Sequence, residues 1–95
     1  MFARVVTTHL KPEKVDAAVA LWREKLLPMI EGMDGLKGAY LMGDRTSGYG
    51  LTITLWETRE NAEILAASFA QNIAHFAELM TDEPSVAEYE VMLSI

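Results

Sequence analysis

"GLTITLWETRENAE", Gly50 to Glu63, contains the change of period on which the fold turns. Leu51, Ile53 and Leu55 alternate with Thr52, Thr54 and Trp56, the period of a strand with two unlike faces. Thr58 is then placed to cap a helix, and Glu60 to sit against its positive end. From there Ala62, Leu65, Phe69, Ile73, Phe76 and Met80 recur at steps of three and four, the buried stripe of a helix. One face of the strand is plainly apolar. The other begins with two threonines and ends in a tryptophan, so the question is what covers Trp56.

Upstream, all six glycines of the chain fall between Gly32 and Gly50. They bracket a second strand, "KGAYLMGDR" (37–45), and a turn, "TSGYG" (46–50), which together predict a hairpin. "FARVVTTHL" (2–10) is rich in β-branched residues and reads as the first strand. Pro12 stands near a helix start, where its missing N–H costs little. Val15, Ala18, Val19, Trp22, Leu26, Ile30 and Met33 form the stripe of that helix. Pro28 is expected to kink it or to end its regular part, and Gly32 or Gly35 to stop it. Downstream, "TDEPS" (81–85) breaks the second helix. "VAEYEVMLSI" (86–95) reads as the last strand, with Tyr89, Val91, Leu93 and Ile95 on its apolar side.

The order β-α-β-β-α-β over a single domain, residues 1–95, predicts an α+β, ferredoxin-like fold: a four-stranded antiparallel sheet with two helices on one face. A chain of 95 residues buries a modest core, yet 51% of its residues are hydrophobic. That excess suggests apolar surface kept for a partner, and a second copy is the simplest one. The helices are expected on Val5, Leu41, Leu51, Ile53, Leu55, Tyr89, Val91 and Leu93. The opposite face would then carry Arg4, Val6, Thr8, Tyr40, Met42, Thr52, Thr54, Trp56, Glu88, Glu90 and Met92. Such a mixture is too apolar to be wet and too polar for a core, which predicts a homodimer packed sheet to sheet, with Trp56 in the contact.

The net charge is −6. Residues 1–56 carry seven basic and six acidic side chains, and residues 57–95 one basic and eight acidic. No Lys/Arg stripe is available to neutralise phosphates, which argues against nucleic acid. The chain has no cysteine, which excludes disulfides, thiolate metal sites and a Cys nucleophile and fits a reducing cytoplasm. The longest uncharged run, "ILAASFAQNIAHFA" (64–77), is too short and too polar to span a bilayer. A soluble, cytoplasmic protein is expected, with no membrane partner.

"GLKGAYLMGDRTSGYGLTITLWETRENAE" (35–63) resembles the antibiotic biosynthesis monooxygenase-like (ABM) group of dimeric α+β barrels. The shared marks are a Pro-containing first helix, a Gly-rich hairpin and a strand ending in Trp-Glu, and the likeness extends over nearly the whole chain. Gly35, Gly38 and Trp56 look like structural marks of that family. The resemblance implies a cofactor-independent monooxygenase acting on a small aromatic or quinol-type substrate, an oxidoreductase without metal or flavin. Such enzymes need a dry apolar cavity with a few convergent polar groups. Two alternatives stay open: a non-catalytic dimeric module that binds a small apolar or aromatic ligand or is purely structural, and a haem-binding or haem-degrading relative. The last group has an Asn on its first strand and a Trp and His on its second helix. Here the first strand offers Thr7, Thr8 and His9, and the second helix carries His75 but no Trp.

On that second helix Ser68, Asn72 and His75 share a flank. Asn72 lies about 60° from the centre of the apolar stripe and His75 about 120°, at ~100° per residue. Asn72 is therefore the candidate donor and His75 the candidate base, with Ser68, Tyr40 and Trp56 as pocket candidates. Each has a plainer reading. Asn72 can cap a local backbone group, His75 can be solvated, and Tyr40 and Trp56 can belong to the dimer contact. Arg4 can pair with Glu88 or Glu90. No Gly-rich phosphate loop, paired catalytic carboxylates or metal-ligand cluster is legible, and no cofactor is expected.

Overall fold

The computed structural model describes residues 1–71 and 74–95. Strand β1 (Phe2–His9) leads through a 3₁₀ turn at Pro12–Lys14 into helix α1 (Val15–Leu21). The helix widens into a π-helical turn over Trp22–Leu26 and continues as α2 (Leu27–Glu31). The hairpin strands are β2 (Leu36–Gly43) and β3 (Tyr49–Trp56). Helix α3 (Arg59–Asn72) passes into a 3₁₀ segment, Ile73–Leu79, before β4 (Ser85–Glu90). The sheet order is β2-β3-β1-β4, with every neighbouring pair antiparallel. This is the ferredoxin-like arrangement expected from the order of elements. Among the described residues no helix is long and apolar enough to cross a membrane.

Pro28 explains the irregular first helix. It has no N–H to donate to the preceding turn, and its ring crowds the carbonyl four residues back. The strain is taken up just upstream, where the Leu27 N–H bonds the Trp22 carbonyl, a five-residue step. The helix thus continues past the proline, and Leu26 and Ile30 stay buried on one stripe.

The start of α3 follows its sequence signal. The Asn61 N–H donates to Thr58 Oγ1 at 3.2 Å, and the Thr58 N–H donates back to Asn61 Oδ1 at 3.2 Å. That reciprocal pair is a capping box with Asn in the usual Glu position. It dictates the residue facing it. Gly35 has φ of +82°, and a Cβ there would lie 2.1 Å from Asn61 Oδ1. Only glycine fits both the backbone angle and the contact.

Strands β1, β3 and β4 present the opposite faces to those expected from the sequence, whereas β2 holds to the expectation, with Leu41 on the helix side and Tyr40 and Met42 on the open side. Register pairs Arg4 with Thr54, Val6 with Thr52, and Phe2 with Trp56. These residues lie under the helices: Trp56 is 0% and Arg4 6% exposed, and Val6 and Thr54 are buried with them. Trp56 packs in a cluster with Ile30, Ala62 and Leu65, flanked by Trp22, Leu36 and Ala39. A β-bulge between Leu36 and Gly38 lets both Leu36 and Ala39 point to that side. The open face instead carries Val5, Leu51, Ile53 and Leu55, half-buried, with Tyr40 57% and Tyr89 60% exposed and Met42 exposed beside them. Trp56 is therefore a core residue, and Leu51, Ile53 and Leu55 lie on the face the helices do not cover.

The last strand is shorter than expected. Glu90 pairs with Phe2, and the Val91 N–H donates to the Met1 carbonyl at 2.8 Å. The register has then used all of β1, and Met92, Leu93 and Ile95 lie exposed beyond it.

Candidate functional site

A cavity of about 260 Å³ lies between the helices and the sheet. Val6, Thr8, Leu41, Gly50 and Thr52 give it a sheet side, and Val15, Ala18, Val19, Trp22 and Leu26 a helix side. Phe69, Phe76 and Met80 close it from the second helical arm. The β2–β3 loop contributes Asp44, Arg45 and Gly48. Few polar groups stand among these apolar walls. A dry engineered cavity of about 150 Å³ is enough for benzene, so this one has room for a substituted aromatic ring. It is at the small end of ligand sites.

The hairpin loop is held in place from both sides. Arg45 forms an exposed ion pair with Asp16 of α1. Asp44 Oδ1 accepts from the backbone N–H of Thr46 at 2.8 Å, which fixes the turn. Gly48 has φ of +84°, and a Cβ there would meet the Leu10 carbonyl oxygen at 2.0 Å. The loop backbone can lie against β1 only because this residue is glycine. His9 completes the clamp. Its ring stacks on Tyr49 with centroids 4.0 Å apart, Nδ1 lies 3.1 Å from Asp82 Oδ2, and Nε2 lies 3.2 Å from the Ser47 carbonyl. Both partners are acceptors, so the imidazolium satisfies both and a neutral ring only one. His9 thus ties β1, the hairpin loop and the turn before β4 together.

Beside the cavity is a smaller recess of about 20 Å³, lined by Arg4, Val6, Trp22, Leu26, Ile30, Thr52, Thr54, Leu65 and Phe69. Arg4 Nη1 lies 3.6 Å from Glu88 Oε1, and the Phe69 ring centroid is 5.5 Å from its guanidinium carbon. Burial holds the Arg4 guanidinium below the usual arginine range, against the opposing pull of Glu88. Among the described residues, two buried side-chain nitrogens have no hydrogen-bond partner: Arg4 Nε and Trp22 Nε1. A buried donor left unpaired costs about 1–3 kcal/mol.

The sequence-derived candidates do not converge on these spaces. Tyr40 is on the open sheet face, and Trp56 is in the core, with its indole N–H donated to Thr54 Oγ1 at 2.9 Å. Ser68 is half-buried on α3 and His75 is exposed; neither lines the cavity or the recess. The phase used for His75 assumed an α-helix, whereas Ile73–Leu79 is 3₁₀, which advances about 120° per residue instead of 100°. Asn72 lies outside the described residues. The residues that do surround the spaces, Trp22, Arg4, Thr8 and Thr52, read in the sequence as core, ion pair and strand. One signal was available: Arg4, Thr52 and Thr54 share a face with Trp56, more polarity than a simple core needs. Among the described residues no three His, Cys, Asp or Glu are placed to hold a metal ion.

No family model matches the chain. Two uncharacterized proteins of Mycobacterium tuberculosis are similar to it in sequence. One is 31% identical over 91 residues, 96% of this chain and 41% of the relative. The other is 28% identical over 93 residues, 98% of this chain and 39% of the relative. The chain thus spans about two fifths of the length of the curated relatives it matches. Among solved structures, an antibiotic biosynthesis monooxygenase superposes with a TM-score of 0.78 at 20% identity, covering 98% of this chain and 100% of the other. A Streptomyces coelicolor monooxygenase in complex with nanaomycin D gives 0.83 at 16% identity, covering 99% and 89%. A Nitrosomonas europaea protein of unknown function gives 0.80 at 17%, covering 99% and 91%. At such identities the likeness is one of fold, and it agrees with the strand order, the helix placement and the Gly35–Trp56 hairpin described above. The chain has the ABM-like fold, the ferredoxin-like α+β architecture of the antibiotic biosynthesis monooxygenase-like proteins.

Proposed function

We propose that this domain is a monooxygenase of a small aromatic compound of the quinol or anthrone type, working as a homodimer without metal or flavin. The observation that supports it most is the apolar cavity of about 260 Å³, on a fold shared with a monooxygenase that holds nanaomycin D. The dimer is supported by the open sheet face, where Tyr40, Met42 and Tyr89 surround Leu51, Ile53 and Leu55.

For an anthrone-type methylene the reaction balances without an outside reductant: R₂CH₂ + O₂ gives R₂C=O + H₂O. Two C–H bonds break at one carbon. One oxygen atom becomes the new carbonyl, and the other leaves as water with both hydrogens. The substrate carbon is the reductant. The protein's share is to seat the ring away from water and to favour the anion that gives its electrons to oxygen.

Oxygen uptake by the protein, with chelator present, tests this against a panel of anthrones and hydroquinones. Uptake above the buffer rate for at least one of them is expected. Rates equal to buffer throughout would favour the second reading, a dimeric module that binds a small aromatic ligand without turning it over. One observation favours that reading: among the described residues lining the cavity there is no histidine, and both ionised side chains come from the hairpin loop.

A further inference from the structure

The two residues that carry the unpaired buried donors line one small space. Arg4 and Trp22 both line the recess, and the recess shares Val6, Trp22, Leu26, Thr52 and Phe69 with the larger cavity. Its volume of about 20 Å³ suits a single oxygen atom, since about 10–15 Å³ already accommodates one water. Arg4 cannot swing out to find solvent. It is 6% exposed, Glu88 holds one end of its guanidinium at 3.6 Å, and Phe69 lies over it at 5.5 Å. What remains unsatisfied is its Nε–H. Trp22 stands in the π-helical turn before Pro28, with its indole N–H buried and unpaired.

We propose that Arg4 and Trp22 form an acceptor-oxygen subsite at the inner end of the cavity, and that the ligand is a hydroxyaromatic or its anion, ring in the cavity and oxygen in the recess. The inference rests on the cavity being a ring-binding site. Two N–H donors and a full positive charge select an acceptor, and the charge on Arg4 favours an ionised or strongly polarised oxygen over a neutral one. A plain hydrocarbon of the same shape fills the cavity but leaves both donors unpaired. Discrimination should therefore favour the oxygenated ring, because a site built from buried donors rejects the analogue that lacks the partner atom.

The test uses 1-naphthol and naphthalene, which share a ring system and differ in one oxygen. The chain has two tryptophans, so ¹⁵N-labelled protein gives two indole N–H resonances. Trp56 already donates to Thr54 Oγ1 and is the internal reference. On titration with 1-naphthol the Trp22 signal should move downfield while that of Trp56 stays; with naphthalene the Trp22 indole proton should not move downfield. 1-Naphthol should bind about tenfold more tightly than naphthalene, the size expected for newly satisfied buried donors. Trp22→Phe keeps the ring packing and should reduce that ratio to about twofold, and Arg4→Met should act in the same direction. Equal binding of the two compounds with the Trp22 signal unmoved would overturn the subsite and leave the cavity as a ring site. A preference for 1-naphthol that survives Trp22→Phe unchanged would also overturn it. No binding of either compound would remove the ring-site reading and this inference together. The Trp22 shift is read in the unaltered protein, so the outcome does not depend on a variant folding.

Discussion

The Trp56 indole N–H donates to Thr54 Oγ1 at 2.9 Å, from two residues away on the same face of β3. Both residues are buried beneath the helices. A tryptophan enclosed away from water needs an acceptor for its one donor, and the strand supplies it at the nearest same-face position. Thr54, which the sequence places on the mixed face beside Trp56, is thus part of what makes Trp56 burial possible.

Thr54→Val should cost about 1–3 kcal/mol, because it leaves the indole N–H unpaired in the core. For a domain of this size that lowers Tm by roughly 4–8 °C per kcal/mol. Thr54→Ser keeps the hydroxyl and should cost less. Thermal unfolding of the two variants beside the parent decides it, and a valine variant as stable as the parent would mean the bond contributes nothing.

The open face gives an opposite pair of expectations. Sedimentation of the parent at micromolar concentration should give twice the chain mass. Ile53→Asp should give a folded monomer, since it puts an unpaired carboxylate in the apolar contact while sparing the helix side. Trp56→Asp, at a residue with 0% exposure, should unfold the domain instead of separating two intact copies. A parent protein that sediments as a monomer would rule out the sheet-to-sheet dimer.

Filling the cavity should separate stability from binding. Ala18 is 5% exposed and lines the cavity from α1. Ala18→Leu should raise stability by about 0.5–2 kcal/mol, as cavity-filling changes commonly do. It should also abolish naphthalene binding. Denaturant unfolding and calorimetric titration check the two halves separately; loss of stability with binding intact would place the new side chain outside the cavity.

Arg4 should show the converse. Burial outweighs the attraction of Glu88 in setting its ionisation, so the folded protein disfavours the charged form relative to the unfolded chain. The buried charge is then a net cost to the empty protein. Arg4→Met combined with Glu88→Gln should be at least as stable as the parent, by about 1 kcal/mol or more, because apolar replacement of a buried pair is often stabilising. Urea midpoints at constant m-value measure it. A clear loss of stability would make the pair structural instead of a charge kept for a ligand.

Much of the fold was legible because local chemistry carried it. The change from period two to steps of three and four at Thr58 marks the β3–α3 junction, and the Thr58–Asn61 box confirms it. Pro28 predicts a distorted helix, and the π-helical turn lies immediately before it. Gly35 and Gly48 mark the two tight approaches of the hairpin region. The candidate site was not legible in the same way. Trp22 reads as one more stripe residue, and nothing in a helical period tells whether an indole N–H finds an acceptor. His75 was placed by an α-helical phase that the chain abandons before reaching it.

By itself the sequence determined that β3 has two faces, which residues share each of them, and the order of elements that makes a four-stranded antiparallel sheet. Only the tertiary structure decided which face meets the helices. Alternation is symmetric under exchange of the faces, and the apolar content of β3 alone does not say which of them the helices cover. Leu51, Ile53 and Leu55 are more apolar than Thr52, Thr54 and Trp56, yet the second set is the one under the helices. Register and the reach of α2 and α3 bring Ile30, Ala62 and Leu65 onto Trp56. That packing leaves the more apolar face outermost, and it sets Arg4 and Trp22, distant in sequence, on the wall of one recess.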